Sequence, residues 1–221
     1  MRVLRGAALT TGFIAICLLQ AAAFANAETL NREQALAALA KRDDVEARRQ
    51  AAEALGETGV MADVPVLTQA LRDQDPDVRT LAEHSLWLVW SRSGDPEIDR
   101  IFVRGVEEMQ RGDLAEAVGT FTEIIKRRPD FAEAWNKRAT AYYLAGEFEK
   151  SLADCDEVMR RNPVHFGALS GYGLIYLRLG TPEEALLYFE RALDVNPNLA
   201  GIEQAVQAIK QLLAQQGKDT I

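Results

Sequence analysis

Three prolines constrain this chain more than any other feature. Pro129, Pro163 and Pro197 stand 34 and again 34 residues apart, each closing a charged or polar run (KRRP, RRNP, DVNP) and each followed by a new helical pattern. A fixed period of this length marks a repeat architecture, in which each unit buries its apolar face only against its neighbours. In register, segments 98–131, 132–165 and 166–199 align Gly112, Gly146 and Gly180 at position 15, Ala117, Ser151 and Ala185 at position 20, and Phe121, Cys155 and Phe189 at position 24. Ile124, Val158 and Ala192 share position 27, Gly105, Ala139 and Gly173 position 8, Trp135 and Leu169 position 4, and Tyr142 and Tyr176 position 11. Small residues at 8 and 20 let two helices approach, and large ones at 4, 11 and 24 fill the space between them. Glycine at 15 ends the first helix in a left-handed cap at little steric cost. The dominance of Ala, Leu and Glu favours helix as well.

This 34-residue helix–turn–helix pattern resembles the tetratricopeptide repeat. Segment 166–199 matches it almost throughout (YGLIY, PEEALLYFERAL, NP). Segment 132–165 departs at Arg138 and Cys155, and segment 98–131 at Ile101 and Glu108. In the third unit Thr181 is expected as N-cap, Pro182 as the first helical residue and Glu184 as the partner that closes a capping box. Beyond 199, apolar residues at 202, 205, 206, 209, 212 and 213 predict an amphipathic helix over the last unit's open face.

A second repeat precedes these. DVEARRQAAEAL and DPDVRTLAEHSL superpose Arg48 on Arg79, Ala51 on Ala82 and Leu55 on Leu86, with a turn and a helix between them and REQALAALAKR as a leading helix. The pattern resembles short HEAT repeats of the kind found in bilin-lyase-type proteins, and that resemblance places Asp75 and Arg79 as an Asp–Arg pair between turn and helix. The short SRSGDPEID junction, with Gly94 as a stop and Asp95–Pro96 as a start, predicts one continuous stack. The expected fold is an all-α, right-handed α-solenoid. Its parts are a leader over 1–27, HEAT-like repeats over 28–94, three tetratricopeptide units within 95–199, a capping helix over 200–216 and a disordered tail over 217–221.

The leader expectation rests on MRVLRG, an apolar run and the small residues ANA at 25–27, the three-part form of a secretory signal with cleavage between Ala27 and Glu28. An uncleaved membrane anchor is the alternative, and a lipid anchor at Cys17 is disfavoured by the bulky Ile16 before it. Cleavage leaves 23 basic against 33 acidic side chains, a net charge of −10. Such a chain repels nucleic acid and anionic lipid, and no basic block offsets this. A protein or peptide partner is expected, in a secreted, periplasmic setting, with no cofactor and with membrane contact only through an uncleaved leader. Only Cys155 remains after cleavage, so no internal disulfide is available.

The sequence holds no phosphate loop, no H-E-x-x-H and no paired-cysteine metal site. The glycine-rich HFGALSGYGLIYLRLG at 165–180 lacks a third spaced glycine and follows no strand, and Ser170 lacks the flanks of a nucleophile elbow. It reads as a packing helix, and whether Gly167, Ser170 and Gly171 leave a small-residue notch in the groove is a question the sequence leaves open. His84 and His165 read as surface or partly packed residues, and Cys155 as an inert buried thiol. Trp87 and Trp90 read as filling between the two repeat blocks, with a partner-binding patch as the alternative. No catalytic and no metal-ligating residue is assigned.

The tetratricopeptide resemblance implies a concave groove lined by positions 2, 5, 9, 12 and 13. These are Asp99, Phe102, Val106, Met109 and Gln110 in the first unit; Glu133, Asn136, Thr140, Tyr143 and Leu144 in the second; and Gly167, Ser170, Leu174, Leu177 and Arg178 in the third. Of the Lys, Asn and Arg that grip a C-terminal carboxylate in some family members, at positions 5 and 9, only Asn136 has a counterpart. The implied site is an apolar groove with polar edges for an extended or helical segment. The leading reading is an exported, non-enzymatic adaptor. The alternatives are a self-associating structural subunit of an envelope complex and, more remotely, a lyase-like enzyme.

Overall fold

The computed structural model describes residues 30–219, with side chains through residue 216. The expected leader therefore lies outside the described residues. Among them there are eleven α-helices and no strand. The N-terminal block holds α1 (Arg32–Leu39), α2 (Val45–Thr58), a 3₁₀ turn (Met61–Asp63), α3 (Val64–Ala70) and α4 (Pro76–Trp90). The 34-residue units follow as α5 (Pro96–Arg111) with α6 (Leu114–Arg127), α7 (Ala132–Leu144) with α8 (Phe148–Arg161), and α9 (Phe166–Leu179) with α10 (Pro182–Val195). The last helix, α11 (Ala200–Asp219), continues past the expected end at 216.

The units close as their pattern dictates. Gly112, Gly146 and Gly180 take φ of 84°, 78° and 79°. The residue after each returns its N–H to a carbonyl five residues back: Asp113 to Glu108 at 2.9 Å, Glu147 to Tyr142 at 2.8 Å and Thr181 to Tyr176 at 3.0 Å. This is the Schellman arrangement. It also corrects the capping box expected at Thr181. The Thr181 hydroxyl donates to the Tyr176 carbonyl at 3.3 Å, and no side-chain cap reaches the start of α10. Close approach at position 8 is tightest in the third unit, where a Cβ on Gly173 would lie 2.3 Å from the Phe189 ring. Phe121 and Phe189 are fully buried at position 24, and Ala117 and Ala185 are fully buried at position 20. Val206 and Ile209 of α11 pack on Ala185 and Phe189, so the last helix caps the array as expected, although Leu212 remains exposed.

The N-terminal block is held by arginines reaching from one helix to the turn that follows. Arg32 pairs with Asp63 at 2.6 Å, Arg48 with Asp73 at 2.8 Å and Arg49 with Asp75 at 2.6 Å. Asp75 also caps α4. The Asp75–Arg79 pair that the resemblance implied does not form. Arg79 instead donates to the carbonyls of Asp73 and Gln74 and to the side-chain oxygen of Asn198 at 2.9 Å. Arg48, its counterpart one repeat earlier, likewise grips the preceding turn (Lys41 and Arg42 carbonyls) and then the next one (Asp73). The last inter-unit turn thus takes the place of a following HEAT turn.

That substitution determines how the two blocks meet. Arg72 donates to the carbonyls of Asp194 and Val195, Asn196 to Glu83 at 3.0 Å, and Asn198 to the Leu71 carbonyl at 2.8 Å. A cation on the terminal carbonyls of α10 is favourably placed for the helix dipole. The blocks are joined across the turns of the array, in addition to the covalent junction at Ser91–Asp95.

Candidate functional site

Trp87 and Trp90 of α4 fill the seam between the blocks, as their spacing suggested. Trp90 is buried and stacks on His165 with centroids 4.3 Å apart. Trp87 meets Trp90, His165 and Phe166 edge-on at 5.2, 5.6 and 5.3 Å. Phe166, the first residue of α9, belongs to the N-terminal block's core. Gly167 admits this packing, because a Cβ there would lie 2.5 Å from the Trp87 ring. At Gly167, then, the space is taken by the chain's own tryptophan, whereas at Gly171 the nearest atom is Cys155 Sγ at 3.7 Å.

Beneath the tryptophans lies a buried polar cluster that spacing did not reveal. His165 is fully buried, not at the surface. It accepts the Ala168 N–H at Nδ1 (3.1 Å), which leaves Nε2 to donate to Glu133 at 2.8 Å. Glu133 also takes Asn136 at 3.1 Å and Lys137 at 3.2 Å. Burial opposes its ionisation, yet His165, Lys137 and Asn136 together hold the carboxyl below the usual glutamate range. Lys137 in turn lies over the Trp87 ring at 5.6 Å. The cluster ties α7 to α9 through contacts internal to the chain.

The expected groove residues divide into three groups. Phe102 and Asn136 are buried and do not face a partner. The Phe102 ring sits in the first unit's core against Phe121 (5.8 Å) and Phe131 (5.3 Å), and the Asn136 amide is spent on Glu133. Val106, Met109, Thr140, Tyr143 and Ser170 are half-buried. Thr140 and Ser170 direct their hydroxyls to carbonyls of their own helices. Leu174, Leu177 and Arg178 are exposed, as is Leu144 at 55%. Arg178 lies over the Phe148 ring at 5.6 Å, and Phe148 meets Tyr143 at 5.9 Å. The end of the face near the inter-unit turns is closed by α4; the end near the glycine turns carries exposed apolar side chains.

Elsewhere the expected inertness of Cys155 agrees with its setting. It is 2% exposed, and burial together with Asp154 and Asp156 pushes its thiol up to about 12. His84 is exposed. Arg138, where the family pattern has leucine, is held by Asp154 at 2.8 Å and covers the Trp135 ring at 5.0 Å.

Comparison with known proteins places this geometry. The tetratricopeptide-repeat profile matches residues 102–158 and 166–199, and the HEAT-repeat profile matches residues 15–87, of which 15–29 lie outside the described residues. A TPR repeat-containing protein of Rhizobium etli is 31% identical over 149 residues, covering 67% of this chain and 73% of that protein. The chain belongs to the tetratricopeptide-repeat family. Other family likenesses are more distant. The outer membrane protein assembly factor BamD of Caulobacter vibrioides is 27% identical over 52% of this chain and 36% of its own length. Among solved structures, the first TPR of Spaghetti (RPAP3) bound to the HSP90 peptide SRMEEVD superposes with a TM-score of 0.51 at 26% identity, over 53% of this chain and 93% of that one. In this family member the one side chain shared with a carboxylate clamp, Asn136, is already engaged by Glu133.

Proposed function

We propose that this protein is an exported, non-enzymatic adaptor that holds an extended or helical peptide segment on the open half of its concave tetratricopeptide face. The observation that carries the reading is the exposed apolar set Leu144, Leu174 and Leu177 at groove positions of α7 and α9. It is flanked by half-buried Tyr143 and, on α5, by Val106 and Met109. Exposed apolar side chains clustered beside a polar rim are the chemistry by which a groove takes hydrophobic anchors. A related fold holding an HSP90 peptide supports a peptide as the class of partner. With Asn136 engaged and no other clamp residue present, the anchors are apolar side chains rather than a terminal carboxylate.

Photo-crosslinkers at Leu174 and Leu177 test this. A common partner captured at both sites, and absent from a crosslinker at the exposed Leu187 of α10, is the expected result. Equal capture at all three sites overturns the groove assignment. Export is part of the proposal, and the mature protein recovered from the periplasm should begin at Glu28. A chain retained in the cytosol and starting at Met1 removes it.

A further inference from the structure

The seam between the blocks holds a partly open cavity of about 130 Å³. That volume greatly exceeds the ~10–15 Å³ that one water needs, and falls short of the roughly 300–1,000 Å³ typical of drug-sized ligands. Arg92, Arg128 and Arg161 form part of its wall; set against Asp130 and against Glu157, the partner of Arg161, they leave a formal charge of +1 on a protein whose net charge is −8. Arg161 is paired with Glu157 and Arg128 with Asp130, whereas Arg92 has no ion pair among the described residues and binds the Gly56 and Gly59 carbonyls. Phe131 and Ala132 bring the start of α7 to the same wall, and this start carries no side-chain cap.

Two donors on this wall stand out. Trp90 Nε1 and Asn162 Nδ2 are buried with no hydrogen-bond partner, and both residues are 3% exposed. A buried donor left unmade costs about 1–3 kcal/mol, so two such donors on residues of one cavity wall point to an acceptor that the chain does not supply. The repeat itself indicates which acceptor. Asn196 occupies the equivalent position one unit later, and its amide donates to the Glu83 carboxylate at 3.0 Å. At Asn162 the chain supplies no such carboxylate.

We infer that this cavity is a binding site for a small carboxylate anion. The anion accepts from Trp90 Nε1 and Asn162 Nδ2, and the arginines balance its charge. The site is lined by none of the groove residues, and it stands independently of the peptide-binding reading.

The test is a titration of the intact protein with succinate and with acetate, against sodium chloride at matched ionic strength, followed by calorimetry and tryptophan fluorescence. Saturable binding above the chloride control is expected. Arg128→Gln changes a partly exposed side chain, and Trp90→Phe removes one donor while keeping a ring on His165. Each should weaken binding by about ten-fold or more, the scale of one charge-assisted hydrogen bond. Arg104→Gln, at an exposed side chain of α5 that does not line the cavity, should leave binding unchanged, and circular dichroism of each variant confirms that it is folded. Absence of saturable binding, which would mean that the cavity holds water alone, overturns the inference. So does equal binding by wild type, Arg128→Gln and Trp90→Phe. Tighter binding of inorganic phosphate than of succinate overturns the carboxylate assignment.

Discussion

Two glycines on one helix separate a packing requirement from a mere tolerance. Gly173 faces Phe189 so closely that a methyl group at its Cβ would lie 2.3 Å from the ring, whereas at Gly171 the nearest atom is Cys155 Sγ at 3.7 Å. Gly173→Ala must push α9 off α10 or displace a fully buried phenylalanine, and should lower stability by about 1–3 kcal/mol in urea unfolding. Gly171→Ala meets ordinary contact, removes backbone entropy from a helix interior, and should raise stability by about 0.5–1 kcal/mol in the same assay. Cys155 gives a chemical reading of the same packing. With its thiol at about 12 and 2% exposed, it should resist an uncharged alkylating reagent at neutral pH and react fully only in denaturant, as read by intact mass. Modification in the native state at the rate of a free thiol would contradict this packing.

At the scale of helices and turns, the N-terminal block depends on ionised carboxylates. Hydrogen bonds from Arg32 and Arg49 hold Asp63 and Asp75 below the usual aspartate range, and Arg48 does the same for Asp73 against the cost of its burial. Each of these groups has a depressed pKa in the folded state. Its contribution is therefore present above the unfolded value of about 3.9 and is lost as pH falls through the lower, folded value. Thermal unfolding followed at α1–α4, for instance by hydrogen exchange, should move to lower temperature as pH drops below about 4. This scale also divides what the sequence made legible from what it did not. The 34-residue period was enough to predict the glycine stops and the small residues at positions 8 and 20, and the apolar spacing beyond 199 the capping helix, because each depends on near neighbours in sequence. The tetratricopeptide resemblance implied Phe102 and Asn136, at position 5 of their units, as groove residues. It could not register that Phe131 and Phe121 draw one ring inward, or that Glu133 takes the amide. Asp75 was paired with the wrong arginine for a similar reason. Arg49 and Arg79 both lie within reach of that turn in sequence, and only the helix faces decide between them.

At the scale of the molecule, the informative contacts are those that no local pattern encodes. Arg72, Glu83 and Arg79 reach residues more than a hundred positions away, at the end of the last repeat. Repeat arrays behave as sums of unit stabilities and nearest-neighbour interfaces, so an array of two repeat types would ordinarily unfold in parts. Here the N-terminal block touches the far turn of the third unit and its tryptophans rest on the turn before it, so the first and last parts of the chain share an interface. Trp87 supplies the apolar part of that interface and Asn198 the polar part, with Asn198 bonded to both Arg79 and the Leu71 carbonyl. Large aromatic truncations at fully buried sites cost about 3–5 kcal/mol, and the half-buried Trp87 less than that, against a total stability of about 5–15 kcal/mol for a typical domain. Wild type should therefore unfold in a single calorimetric transition. The double variant Trp87→Ala/Asn198→Ala should resolve into two, with amides of α4 losing exchange protection before those of α6 and α8. The same variant uncovers Gly167 and so extends the open groove toward the inter-unit turns. A crosslinker at Ser170 that fails to capture the groove's partner in wild type should then capture it. If the double variant keeps one transition at the wild-type midpoint, the blocks are coupled through the Ser91–Asp95 junction and not across the turns.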